Sequence, residues 1–192
     1  MACLFESNVP VTSQMVEDKN VVAEPKNTAW FAVLVLYFGG CTTSLHIGKI
    51  PPAIPLLRSE WGLSLTESGL IVSLYSLLIA LCGFALGLLI RRIGSAQCAF
   101  AAVGIVGIGG LIGSFATALP LLLFGRSIEG LGWIMSVIVL PSLISAISSD
   151  KDKSMLLAIW ASFLPVGAGS MLLLAPALLD SCLLYTSDAA DE

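Results

Sequence analysis

Five long apolar runs, parted by short clusters of charged or proline-rich residues, occupy the chain from Trp30 to Leu179. Each is long enough to cross a bilayer as a helix, since about 20 residues rising about 1.5 Å apiece span a hydrocarbon core about 30 Å thick. The pattern predicts helices over about 30–50, 65–90, 95–117, 120–148 and 154–179. Residues 1–28 are polar and acidic and lack the apolar core of a secretory signal, so they read as a cytoplasmic leader. Pro51 to Gly62 carries Pro51, Pro52, Pro55, Arg58 and Glu60 and reads as an exposed loop. After it, Ser64-Leu65-Thr66-Glu67 has the spacing of a capping box that opens the second helix. Ala118 to Pro120 is expected to form a short turn, and Ser149 to Lys153 a compact charged loop. Pro141 predicts a bend in the fourth helix, while Pro165, Gly167, Gly169 and Pro176 interrupt the fifth.

Composition agrees with a membrane chain and excludes a soluble domain. Hydrophobic residues make up 57%, charged residues 11%, and mean hydropathy is +0.96, against about 45–50% apolar and about 25% charged in a soluble domain. The fold class is therefore an all-α membrane protein with the lipid bilayer as its first partner. Net charge is −4, concentrated toward the two ends, and implies no nucleic-acid partner. The five cysteines have no C-x-x-C spacing and His46 is the single histidine, so no metal or other cofactor is implied. No nucleophile, base and orienting group fall together, so the chain does not read as an enzyme.

Ionisable residues inside the apolar runs are the candidate chemistry. Arg126 and Glu129 stand at i, i+3 within the fourth helix, where they share a face and can neutralise each other. Charges at membrane depth usually face a bundle interior or a water-filled path, which makes both candidates for substrate or proton handling, with a structural ion pair as the alternative. His46 and Lys49 lie one turn apart at the end of the first helix. A helix-end lysine ordinarily snorkels to the interface, and that is the first reading of Lys49. Tyr75 and Trp160 are substrate-contact candidates whose plainer role is packing. In the third helix Gly109 and Gly113 form G-x-x-x-G among Gly104, Gly107 and Gly110, a spacing that permits close helix contact in lipid.

Two segments carry a resemblance. Gly87-Leu88-Leu89-Ile90-Arg91-Arg92-Ile93-Gly94, between the second and third helices, resembles the G-x-L-x-D-R-x-G motif of the major facilitator superfamily, with Arg91 where the family has aspartate. Leu122-x-x-x-Arg126-x-x-x-Gly130-x-Gly132 is similar to the family's fourth-helix pattern, with Glu129 in place of glutamine. Gly48 to Pro55 and Trp61 to Ser64 look like the cyanate-permease branch. The resemblance implies that 29–180 is five helices of a six-helix N-terminal bundle, and that Gly87, Arg91, Arg92 and Gly94 form a conformational-gating loop. It also implies secondary active transport of a small solute by alternating access, together with a C-terminal bundle of the same protein. Helices one and four would line the cavity, where Arg126, Lys49 and a protonated His46 would favour an anion. The open alternative is a non-transporting membrane scaffold or assembly subunit, in which the glycine-rich helix mediates oligomerisation.

Lys19, Lys26, Arg91, Arg92, Lys151 and Lys153 fall on one side of the predicted bundle, and Lys49 and Arg58 on the other. That asymmetry places the N-terminus in the cytoplasm, with a bacterial cytoplasmic membrane as the expected location. Residues 181–192 depart from the preceding chemistry. Cys182 to Glu192 resembles translated sequencing adaptor, and the natural protein is expected to continue past Asp180.

Overall fold

The computed structural model describes residues 27–188, with side chains described through Leu178. The leader expected over 1–28 lies outside the described residues through residue 26. So do residues 189–192 and the side chains of the tail expected over 181–192.

Seven helical segments occur among the described residues: α1 (Trp30–Gly48), α2 (Ile50–Trp61), α3 (Leu65–Ile93), α4 (Ser95–Ser114), α5 (Leu119–Ile147), α6 (Asp150–Trp160) and α7 (Phe163–Asp188). They make five stretches long and apolar enough to cross a membrane, because α1 with α2 and α6 with α7 each form one interrupted span. The chain is an all-α membrane bundle, as its hydropathy pattern predicts.

The interruptions have backbone causes. Pro51 and Pro52 bring no N–H to the carbonyls of Ile47 and Gly48, so the ladder lapses at Lys49 although that residue keeps helical angles (φ −71°, ψ −24°). The segment expected as a loop, Pro51 to Gly62, is instead mostly the helix α2. Its prolines stand in the first turn, where a missing N–H costs nothing, and so they start a helix rather than prevent one. Gly62, at φ 63°, ends it in the left-handed conformation that glycine adopts without strain. Pro165 acts likewise on Ala161, and the chain between α6 and α7 closes with tighter bonds such as Ser162 N–H to the Ile159 carbonyl.

Two other boundaries differ from the sequence reading. Ser149 to Lys153 is not a free loop: Asp150 and Asp152 form the acidic first turn of α6, a favourable place beside the positive end of the helix dipole. Pro120 belongs to the first turn of α5, so the turn lies at 115–118. α5 runs through Pro141 without a break. The capping box is present as expected, with Glu67 N–H donating to Ser64 Oγ at 3.2 Å and Ser64 N–H to Glu67 Oε2 at 2.8 Å.

α5 is the hub, packed on α1, α3, α4 and α6, and its contact with α4 is the most extensive of the bundle. Glycine permits it. A Cβ on Gly109 would fall 2.5 Å from the Glu129 nitrogen, and one on Gly125 would fall 2.8 Å from the Gly113 nitrogen. The other close crossing joins α1 to α7, where Cβ atoms on Gly48 and Gly167 would collide with the backbones of Ala168 and Cys41. Two apolar clusters result. One gathers Val33, Ile90, Ala102, Val139, Ile144 and Trp160; the other gathers Ile50, Leu63, Ile71 and Leu122 at the opposite end. Between them α5 places its two charged residues.

Candidate functional site

Arg126 and Glu129 lie one turn apart on the buried face of α5, their side chains only 3% and 1% exposed. An uncompensated charge in such surroundings is costly, so the partners brought to Glu129 decide what the site can be. Its carboxylate meets four polar groups. Oε1 accepts from Lys49 Nζ at 2.5 Å and lies 2.8 Å from His46 Nδ1, both on α1. Oε2 accepts from Arg126 Nη1 at 2.5 Å and from the Tyr75 hydroxyl of α3 at 3.1 Å. A carboxylate offers about four lone-pair positions, and this one is filled when His46 Nδ1 carries the proton.

The supports are as specific as the contacts. Arg126 Nη1 also donates to the His46 carbonyl at 2.8 Å, which sets a cation on the C-terminal end of α1 where the helix dipole is negative. Its guanidinium stands 4.2 Å from the centre of the Tyr75 ring, and Tyr75 in turn stacks on Trp133 with centroids 5.9 Å apart. From α4, Gly110 makes room: a Cβ there would fall 2.9 Å from His46 Cε1 and 3.1 Å from Glu129 Oε1. His46 Nδ1 is also 3.2 Å from Lys49 Nζ. That nitrogen can donate to Glu129 or accept from Lys49, but one tautomer cannot do both.

Arg126 lines two cavities. The larger, about 350 Å³, has Lys49, Glu129 and Arg126 at its polar end and Leu57, Met171 and Leu178 among its apolar walls. The smaller, about 160 Å³, lies against Ile47, Val72, Tyr75, Arg126 and Trp133. The set is able to hold one buried negative charge between two permanent cations, and with Glu129 ionised it carries one surplus positive charge.

Of the residues singled out from sequence, Arg126, Glu129, His46, Lys49 and Tyr75 thus meet at one point. Trp160 does not join them. It stacks on Phe163 at 4.2 Å and presses against Gly40 within the apolar cluster at the other end. The Lys49 side chain is not snorkelling to the interface, because its ammonium is drawn onto Glu129. Gly87, Arg91, Arg92 and Gly94 lie apart, where the connection between α3 and α4 has shrunk to Gly94 alone. Arg91 and Arg92 are exposed, and among the described residues neither is in an ion pair. Trp133 and Gly110 were not singled out as site residues. Trp133 follows Glu129 by four positions and so shares its helix face, a signal that periodicity alone could have supplied. Gly110 had none, since its importance is set by distance to another helix.

Comparison with known proteins supplies the family. A model described as Major Facilitator Superfamily matches residues 30–182, which takes in all five spans and every residue of the charged cluster. No curated protein and no solved structure matches the chain. The two motif segments, the five apolar spans and a match over most of the length agree, and the chain belongs to the Major Facilitator Superfamily of membrane transporters.

Proposed function

We propose that this chain contributes one wall of a secondary active transporter that moves a small anionic solute by alternating access. In this reading the opposing wall is a C-terminal bundle, and the N-terminus faces the cytoplasm of a bacterial cell. The observation that carries the reading is the convergence of Arg126 and Lys49 on the single buried carboxylate of Glu129. Two fixed cations and one titratable anion form a site whose net charge rises when Glu129 takes up a proton. A solute anion and a proton then compete for, or share, the same pair of cations, which is the requirement for coupling one to the other. The segment Gly48 to Pro55, which resembles the cyanate-permease branch, lies at the Lys49 side of this site.

The scaffold alternative draws its support from the glycines of α4. Gly109 is spent within the chain against Glu129 and Gly125, so of the G-x-x-x-G pair only Gly113, which faces open space, is left to offer a second copy. Uptake into proteoliposomes separates the readings. The complete transporter accumulates a small carboxylate down an imposed proton gradient. Arg126→Ala abolishes accumulation, and Glu129→Gln removes its dependence on the gradient. Transport of anions that is indifferent to both substitutions would sink the proposal.

A further inference from the structure

Arg126 spends one terminal nitrogen on Glu129 and on the His46 carbonyl, but its Nε–H, buried with the rest of the side chain, has no protein partner. The indole Nε1–H of Trp133 is in the same condition. Both residues line the same small cavity between α1, α2, α3 and α5, of about 160 Å³. Buried donors without acceptors are uncommon, because each forfeits the hydrogen bonds it had in water. Here the two residues that bear them line one space.

The lining of that space contains no acidic side chain and otherwise consists of Ile47, Val72, Tyr75 and similar neutral groups. The larger cavity is different. Glu129 lines it, and an anion entering there meets a carboxylate as well as Lys49. The two donors, the surplus positive charge of the cluster and the absence of acid from the lining all favour an acceptor-only group in the smaller cavity. Resting on the anion-transport reading above, we propose that this cavity is the subsite for the solute's carboxylate, with the side chains of Arg126 and Trp133 turning to present their closed-off Nε–H and Nε1–H as its hydrogen-bond donors. The larger cavity then serves as the route past Lys49 and not as the seat of the negative charge. A volume of about 160 Å³ suits a small monocarboxylate and is below the roughly 300–1,000 Å³ of pockets that hold larger ligands.

Acetate is the probe, with acetamide as its neutral match in size, and the full chain in lipid nanodiscs is the sample. Every other tryptophan, Trp30, Trp61 and Trp160 among them, is changed to phenylalanine so that Trp133 alone reports. Acetate is expected to give a saturable change in Trp133 emission, and acetamide none. In a second measurement, Trp133→Phe keeps a ring stacked on Tyr75 while removing the donor. It should weaken acetate binding in equilibrium dialysis about tenfold, the equivalent of one hydrogen bond to a charged group. Acetate binding that survives Trp133→Phe but is lost in Lys49→Met would overturn the subsite by placing the anion in the larger cavity, and would leave the transport reading standing. A Trp133 signal indifferent to acetate, with the donors left to water, would overturn the subsite as well. If Trp133→Phe does not fold, the emission titration decides alone. The transport reading fails separately, by the uptake assay.

Discussion

Lys49 and Glu129 stand 80 positions apart in the chain and 2.5 Å apart in space. The contact ties the interruption of the first span, between α1 and α2, to the fourth span. It also spends the charge of a helix-end lysine, which would otherwise extend to the interface, on a buried carboxylate. Removing Glu129 alone leaves two cations unpaired, whereas removing Lys49 with it leaves only Arg126.

A double-mutant cycle should therefore be strongly non-additive. Glu129→Gln alone leaves Arg126 and Lys49 uncompensated and is expected to cost about 3–5 kcal/mol. Adding Lys49→Met should recover about 1–3 kcal/mol of that loss, the range found for residues in one network. Thermal unfolding in detergent measures all four corners. Effects that add to within about 0.5 kcal/mol, as for independent sites, would mean that the contact carries no coupling.

The glycines of α4 should divide by what lies opposite them. At Gly109 an added methyl meets the backbone of α5, which cannot yield without parting the helices, so Gly109→Ala should cost about 2 kcal/mol or more, as overpacking does. At Gly110 it meets the side chains of His46 and Glu129, which can turn away, so Gly110→Ala should reduce uptake severalfold with a smaller loss of stability. Gly104 and Gly107 face open space, and alanine there should be neutral or stabilising by about 0.5 kcal/mol, through better helix propensity. Melting temperature and uptake, read together, check the order.

The contrast among these glycines marks where the sequence stops being informative. Hydropathy places the spans because each must satisfy its own backbone in lipid, a local requirement. The i, i+3 spacing of Arg126 and Glu129 is likewise local, and the one-turn spacing of His46 and Lys49 makes them a pair. That Lys49 turns inward, that Tyr75 reaches the carboxylate and that Trp160 does not are consequences of how helices cross. The crossings depend on contacts such as Gly48 with Ala168, for which neighbouring residues give no signal. The segment after Lys49 was misread for a different reason: Pro51 and Pro52 break one helix and begin the next, and composition records the break but not the beginning.

Gly94 is the whole connection between α3 and α4, and its φ of 107° with ψ of 140° is a conformation that L side chains rarely adopt. Gly94→Ala is expected to lower stability by about 1–3 kcal/mol, the cost of holding a side chain in a sparsely populated backbone region. Gly87, seven residues earlier in the interior of α3, faces nothing within 4 Å. Gly87→Ala should be stabilising by about 0.5 kcal/mol, from helix propensity alone. Equal effects from the two substitutions, in the same unfolding assay, would show that the turn does not require glycine.

Orientation follows from which charges gather at which end. Thr28 donates to Asp152 at 2.5 Å and Ala29 N–H to the Ile147 carbonyl at 3.2 Å, so the start of α1 lies beside the start of α6. Ile90 shares a cluster with Val33 and Ile144, which brings Arg91 and Arg92 to that same end along with Lys151 and Lys153. At the opposite end the charge of Lys49 is consumed by Glu129, and Arg58 alone remains of the two basic residues placed there. The contrast is therefore steeper than a count of residues suggests, and the rule that basic ends stay in the cytoplasm predicts Lys151 inside, in line with the orientation proposed above. In a cysteine-free background, Lys151→Cys should react with an impermeant maleimide only in inverted vesicles, and Glu60→Cys only in right-side-out cells. The reverse pattern would put the N-terminus outside and would mean that the exposed cluster at Arg91 and Arg92 does not govern insertion.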